Sequence, residues 1–393
     1  MTKKEKLSRK LNMGMVGGGR GAFIGNVHVK AATLEGGVDF VAGALSSDPE
    51  KARLSGKDYY LRPNRIYDNF KAMAEAEKKL PEGERIDFVT IATPNHLHFE
   101  IARTFLEAGF NVICDKPVTY NLKEAKELRR IVKASGKVFA LTHNYTGYPM
   151  VKEAKELVKK GEMGRVLKII VEYPQGWLLK PIEKIGQKQA EWRTDPKKSG
   201  ATCCVGDIGT HAENLVHYIT GLEIEEMAAD LTTFIPGRRL EDDANILVHF
   251  KGGARGILYA SQISAGEEND FTIRVYGMEG SLKWRQEEPN YLTVKRPDKP
   301  REILSRGNSY LSQAALRATR LPPGHPEGFI EGFANIYKNA TDTIRAGLEE
   351  RKPGELELDF PDVEDGIRGL AFVETVVKSA RAGGKWTKMV NYK

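Results

Sequence analysis

Short apolar runs alternate with stretches of helical periodicity along the first 150 residues. Residues 12–17 (NMGMVG), 40–45 (FVAGAL), 87–92 (DFVTIA), 111–114 (NVIC) and 138–142 (VFALT) predict strands. DFVTIA has almost no polar face, as expected of a strand covered on both sides. A helical stretch runs from a glycine cluster at 17–22 to about residue 35. Asp48-Pro49-Glu50 opens another helix, with Asp as N-cap and Pro in the first turn. Further helices are predicted over 68–80, where Phe70, Met73, Ala74 and Leu80 share a face, and over 97–108 and 121–134. Strand–helix alternation at this spacing implies a parallel sheet with helices on both sides.

The rhythm changes after about residue 150. Helices are predicted over 148–160 and 207–220, with a long strand at 166–173 (VLKIIVEY). Strands then follow at 227–234, 246–250, 256–263, 271–277, 281–284 and 291–294, with few helices between them. Short turns such as Lys251-Gly252-Gly253 and Met278-Glu279-Gly280 are hairpin connections, so an antiparallel sheet is expected. Two late helices lie near 329–346 and 361–382, and 297–326 is the least regular stretch.

Composition narrows the class. The chain has 393 residues, 40% hydrophobic and 29% charged, which is ordinary for a globular protein of two or three domains. The net charge is +7, but the first ten residues alone hold five cations and one anion. The remaining surface is of mixed sign, so no nucleic-acid partner is expected. The tail reads as a solvated extension. Three cysteines, Cys114, Cys203 and Cys204, form no CxxC pair, so no structural zinc is expected and the vicinal pair reads as small packing residues. The odd, sparse count points to a reducing compartment. No apolar run approaches the roughly 18 residues of a membrane span, and glycine interrupts the segment after the basic tail too early for a signal peptide. A cytoplasmic location and no membrane partner follow.

The candidate chemistry sits at the ends of predicted strands. Gly17-x-Gly19-x-x-Ala22, with Arg20 and Gly21 inside it, follows the first strand and opens a helix. Glycines there permit a tight turn and close approach of a pyrophosphate to a helix N-terminus, which implies dinucleotide binding. Ser46 stands at the end of the second strand, where NAD sites usually carry an acid. A serine tolerates a 2′-phosphate, with Lys51 or Arg53 near enough to neutralise it, while Asp48 can still reach a ribose. NAD and NADP therefore both stay open. Two more loops, Thr93-Pro94-Asn95-His96 and Asp115-Lys116-Pro117, follow strands at the edge where open α/β sheets bind ligands. His96 and His98 lack an obvious third ligand, so no metal is expected. Asp207 and His211 are four residues apart and share a helical face, the spacing of an orienting pair for proton transfer.

Taken in order, GGGRGA, ATPNHLH, CDKP, WRTDPKKSG and GDIGTH resemble the Gfo/Idh/MocA family of glucose–fructose oxidoreductase and inositol dehydrogenase, over nearly the whole chain. The resemblance implies an N-terminal Rossmann domain and a C-terminal α+β domain with a large, open, mostly antiparallel sheet. The expected division is a basic tail (1–10), a dinucleotide-binding domain (11–147) and a substrate-binding and oligomerisation domain (148–393). Lys116 matches the lysine of the family's EKP motif, although Asp115 replaces the glutamate. Asp207 and His211 match its DxxxH pair. Thr93, Pro94, Asn95 and His96 match the loop beside the nicotinamide ribose, and Trp192 and Arg193 match a WR motif near the cofactor. Asn144 and Tyr145 correspond to positions that edge the substrate pocket in some members.

The implied activity is NAD(P)-dependent hydride transfer on a sugar, sugar derivative or cyclitol. His211 would act as base, Asp207 would orient it, and Lys116 would stabilise the developing oxyanion. A hydroxyl-rich substrate needs polar and aromatic neighbours, for which Tyr145, Tyr173, Trp177, Arg193 and His325 are candidates. Two other readings share the fold: glycoside cleavage through transient oxidation, and a non-catalytic sugar or cofactor sensor. Relatives stack their open sheets, so a homo-dimer or homo-tetramer is expected.

Overall fold

The computed structural model describes residues 7–393. The chain divides into two compact units: residues up to Asn144 with Phe329–Gly366, and Tyr145–Gly328 with Ile367–Lys393. The expected division runs straight along the chain, whereas the observed first unit also takes a segment from late in the sequence.

In the first unit, β1 (Leu11–Gly17), α1 (Phe23–Thr33), β2 (Val38–Ala44), α2 (Pro49–Asp58), α3 (Phe70–Lys78), β3 (Phe88–Ala92), α4 (His98–Glu107), β4 (Asn111–Cys114), α5 (Leu122–Ser135) and β5 (Phe139–Leu141) alternate as the apolar pattern implies. The five strands form one parallel sheet in the order β2-β1-β3-β4-β5. Every residue of β3 is buried, as its apolar run requires. Asp48 caps α2 through the Lys51 N–H at 3.1 Å, with Pro49 in the first turn. Met13, Met15 and Phe88 share a core with Phe333, Tyr337 and Ile344 of the returning segment.

Residues 1–6 of the expected basic tail lie outside the described residues. The rest of it is tied down: Leu7 N donates to Glu349 (3.0 Å), Arg9 pairs with Asp87 (2.7 Å) and Lys10 with Asp39 (2.8 Å).

The second unit begins with α6 (Pro149–Lys159), β6 (Val166–Pro174), α7 (Lys188–Arg193), α8 (Pro196–Ser199) and α9 (Thr210–Thr220). Then come β7 (Ile224–Thr232), β8 (Asp243–Phe250), β9 (Arg255–Ser261), β10 (Thr272–Gly277), β11 (Ser281–Arg285), β12 (Tyr291–Lys295), β13 (Glu302–Ser305) and α10 (Gln313–Arg317). After α11 (Phe329–Leu348), which belongs to the first unit, come α12 (Val363–Arg381) and β14 (Thr387–Lys388). The nine strands order as β13-β12-β11-β10-β6-β9-β8-β7-β14. All neighbours are antiparallel except β6 and β9. Ile169, Val171, Ile246, Val248, Leu258, Ile273, Val275 and Trp284 turn inward to one core. The other face carries Leu247 and Tyr276, both exposed, with Ile170 and Ile257 half-buried.

Two strands were not expected. β13 lies within the irregular 297–326 stretch and has four residues, and β14 has two; both close sheet edges and are too short to leave an alternation signal. The expected 207–220 helix also differs at its start. Residues Val205–Gly209 form a π-turn, and the α-helix begins at Thr210. Such widened turns recur at functional sites.

Candidate active site

The strand order of the first unit reverses direction between β1 and β3, the crevice where open α/β sheets hold ligands. Gly17 ends β1 at φ +80°, and a Cβ there would lie 2.5 Å from the Ala92 carbonyl oxygen at the end of β3. A Cβ on Gly19 would lie 2.5 Å from the Leu45 carbonyl oxygen. Ala22 N–H donates to the Gly19 carbonyl at 2.9 Å, Gly21 has φ +78°, and α1 starts immediately after. No side chain caps α1 and no acid stands in its first turn, so nothing of the helix's own competes for an anion. Gly25, which the sequence reasoning missed, lets the helix sit on the loop: a Cβ there would be 2.1 Å from the Gly18 carbonyl oxygen. The signal for it was a glycine one turn into the helix.

Two side chains beyond the glycine loop fit a bound dinucleotide. Thr93 Oγ1 and Asn144 Nδ2 are buried with no hydrogen-bond partner among the described residues. Buried polar atoms are normally paired. With the glycine cradle and the uncapped helix, they supply the backbone room and the hydrogen-bonding groups that a dinucleotide needs. The loop holding Thr93, Pro94, Asn95 and His96 is tied to the next one by His98. Its Nδ1 lies 2.7 Å from the Pro117 carbonyl and its Nε2 2.8 Å from the Thr93 carbonyl. Burial pushes this imidazole's pKa down, against the opposing pull of Asp115 and the two carbonyls. His96 is exposed and Asn95 buried.

Asp115 is the hub of the second loop. Its Oδ1 accepts from Thr142 Oγ1 (2.9 Å) and from the Lys116 N–H (3.0 Å). Its Oδ2 stands 4.0 Å from His28 Nε2. Burial alone would raise this carboxyl, but His28, Lys116 and His98 outweigh it and hold the pKa at about 2. Behind it, His28 Nδ1 meets Tyr337 Oη at 2.8 Å, and Tyr337 Oη meets Thr90 Oγ1 at 2.9 Å. The sequence reasoning did not find His28 or Tyr337; they come from α1 and from the returning α11. Lys116 is half-buried beside this hub. At the end of β2, Ser46 Oγ accepts from the Asp48 N–H at 3.1 Å, and Lys51 lies in the first turn of α2. Arg20 pairs with Asp58 at 2.5 Å on the surface.

In the second unit, Asp207 lies in the π-turn and His211 in the first turn of α9. Asp207 Oδ2 accepts from Arg193 Nε at 2.9 Å and from Gln262 Nε2 at 2.8 Å. The Arg193 guanidinium lies 4.3 Å from the Trp192 ring centroid and 5.7 Å from that of Trp177. His211 is buried, with the Tyr145 ring edge-on at 4.8 Å and Tyr173 at 6.4 Å. Thus Tyr145, Tyr173, Trp177, Trp192, Arg193, Asp207 and His211 gather in one cluster. His325 lies apart from the residues just named, exposed on a loop where Arg306 grips its carbonyl.

The start of this helix is held by a buried acid. Glu241 accepts from the Cys203 N–H at 3.0 Å and the Val205 N–H at 2.9 Å. Burial, opposed by these bonds, pushes its pKa up to about 7. The thiols of Cys203 and Cys204 are buried and pushed well above their usual range, which makes them packing groups rather than nucleophiles.

Residues 11–143 match the oxidoreductase family with an NAD-binding Rossmann fold, and residues 151–283 match the GFO/IDH/MocA C-terminal domain. The chain is 33% identical to the uncharacterized oxidoreductase YfiI of Bacillus subtilis over 97% of this chain and 98% of that protein. It is 27% identical to levoglucosan dehydrogenase of Pseudarthrobacter phenanthrenivorans over 95% of this chain and 96% of that protein. An inositol dehydrogenase homolog from Azotobacter vinelandii, solved with NAD+, superposes with a TM-score of 0.93 at 34% identity, over 99% of this chain and all 100% of that one. The chain belongs to the Gfo/Idh/MocA family of oxidoreductases, and its first domain is that family's NAD-binding Rossmann fold.

Proposed function

We propose that this protein is an NAD-dependent dehydrogenase acting on a hydroxyl-bearing carbon of a sugar, sugar derivative or cyclitol. The observation that carries the reading is the cluster around His211. A buried imidazole sits four residues from a carboxylate that is itself fixed by Arg193 and Gln262, among tyrosines and tryptophans suited to a polyol. When bound, the nicotinamide supplies the hydride acceptor or donor.

The chain's own residues do the rest. His211, as neutral imidazole, takes the proton of the substrate hydroxyl. Asp207 orients it and stabilises the imidazolium that forms. Lys116 donates a hydrogen bond to the oxygen as it becomes a carbonyl, the electrostatic part of the work. Gly17, Gly19, Gly21 and Ala22 would receive the pyrophosphate, while Thr93, Pro94, Asn95, His96, Asp115 and Asn144 would hold the rest of the cofactor. Ser46 and Lys51 would stand beside the adenosine ribose. Solved relatives carrying NAD+ or NADH favour the NAD arm of the choice that Ser46 leaves open. One of them binds myo-inositol with NADH, and levoglucosan dehydrogenase lies in the same set, which supports the polyol class.

The open face of the nine-stranded sheet, with Leu247 and Tyr276 exposed, favours a homo-oligomer. Light scattering at micromolar concentration should return a multiple of the 43.8 kDa chain, and a monomer would contradict this. Three buried free thiols suit a cytoplasmic protein.

The functional test is a screen of myo-inositol, monosaccharides and anhydrosugars with NAD and with NADP. Net formation of reduced cofactor supports the reading, with the higher kcat/KM expected for NAD. Glycoside cleavage without net change of cofactor would instead support the lyase-like alternative.

A further inference from the structure

Cys203 meets Asp207 by two routes. Along the backbone, the Asp207 N–H donates to the Cys203 carbonyl at 3.0 Å, at the entry of the π-turn. Through side chains, the route runs by way of Gln262. The Gln262 amide nitrogen stands 2.8 Å from Asp207 Oδ2, which also accepts from Arg193 Nε at 2.9 Å. An ionised carboxylate only accepts, so the end of the Gln262 amide that faces it is the nitrogen. The amide oxygen is thereby turned the other way. Gln262 is fully buried, and a buried oxygen needs a donor. The donor it meets is the Cys203 thiol, with Sγ at 3.5 Å. Burial pushes this thiol well above its usual range, so the proton it donates stays in place at neutral pH.

Both partners are held from outside. The Glu241 carboxyl accepts from the Cys203 N–H with its two oxygens, at 3.0 and 3.1 Å, and from the Val205 N–H at 2.9 Å. The Gln262 N–H donates to the Asp242 carbonyl at 2.9 Å, and the Leu178 N–H donates to the Gln262 carbonyl at 3.0 Å. Cys203 is buried in one apolar cluster with Leu178, Ala190 and Leu240. An alanine would fill that apolar role. It would not supply the proton that Gln262 receives.

We propose that Cys203 is a positioning residue for Asp207: its thiol fixes the Gln262 amide so that the nitrogen stays on the carboxylate. Cys203 acts through Gln262 and takes no part in proton transfer. Its effect on turnover rests on the reading of the protein as a polyol dehydrogenase with His211 as base; the contact with Gln262 does not.

The test has two arms. In the first, the infrared difference between wild type and Cys203→Ala isolates the S–H stretching band of Cys203 from those of Cys114 and Cys204. The same difference taken in the Gln262→Leu background should show the band at higher frequency, as for a thiol that has lost its acceptor. A band at the same frequency in both would overturn the proposal, whatever the substrate. The second arm is kinetic and uses the polyol turned over fastest. Cys203→Ala should lower kcat about two- to fivefold, the worth of a weak S–H···O contact, with KM changing less than kcat and NADH affinity unchanged. Cys203→Ser keeps a donor, guards against a folding defect, and should lie closer to wild type. In the Gln262→Leu background Cys203→Ala should cost nothing further in kcat, because the thiol acts only through that amide. Equal losses in the alanine and serine variants, or losses that simply add in the double variant, would overturn the proposal. A wild-type protein that turns over no polyol would overturn the dehydrogenase reading and with it the role in turnover, while the infrared shift would leave the contact between Cys203 and Gln262 standing.

Discussion

The two units build their chemistry differently. In the first, the fitting surface is mostly backbone: a glycine turn, an uncapped helix start and loops at strand ends. In the second, it is mostly side chains held by other side chains, as Arg193 and Gln262 hold Asp207. A backbone site depends on residues adjacent in the chain. A side-chain site depends on residues brought together from separate strands and loops. The same cofactor cradle can therefore persist while the substrate pocket changes, one polar partner at a time.

Substitutions should separate these two modes. The largest effect belongs to the chemistry itself. His211→Ala should lower kcat by about 10²–10⁴-fold, the usual worth of a general base, and leave NADH affinity intact in a fluorescence titration. Near-normal turnover would remove His211 from the mechanism.

The next effect tests the backbone mode. Gly17→Val places a branched side chain at φ +80° against the Ala92 carbonyl. Strain of about 1–3 kcal/mol at such a position should weaken NADH binding by about 10–100-fold, with polyol preference unaltered. An unchanged NADH Kd would show that the turn is only structural.

Gln262→Leu tests the side-chain mode. It removes one of two donors to Asp207 and should cost about tenfold in kcat, since a hydrogen bond to a charged group is worth about 1.5–3 kcal/mol. NADH affinity should not move. A matching loss of NADH affinity would blur the distinction between the two modes.

The smallest effect on turnover, read instead in stability, concerns Glu241. Its carboxyl is raised from 4.5 to about 7 by burial. At low pH both folded and unfolded chains hold the proton. Between about 4.5 and about 7 the unfolded chain releases it while the folded chain keeps it, so this residue's contribution to stability falls as pH rises, then levels off. The span corresponds to about 3 kcal/mol at most. Glu241→Gln should flatten that part of the melting-temperature profile, and an unaltered profile would refute the assignment.

How much of this was legible in the sequence follows the same division. The parallel sheet and its loops were readable, because apolar runs such as FVTIA and glycines at 17 and 19 are local signals. The Asp207–His211 spacing was readable for the same reason, although the turn it sits on is a π-turn. Tyr337 and His28 behind Asp115 were not, because one comes from a helix some 300 positions away. Gln262 was also silent: an isolated amide on a loop carries no periodicity, and it meets Asp207 only through tertiary packing. β13 and β14 were missed because four and two residues give too little alternation to stand out.

The central claim is that a carbon-bound hydrogen of a polyol passes as hydride to the cofactor. Its most direct test uses the polyol turned over fastest, deuterated at the reacting carbon, with NAD and the purified protein, and locates the label by NMR. The expected result is one deuterium at C4 of the NADH formed, and none formed at a comparable rate by His211→Ala. Unlabelled NADH, or a polyol product released without any NADH, would contradict it.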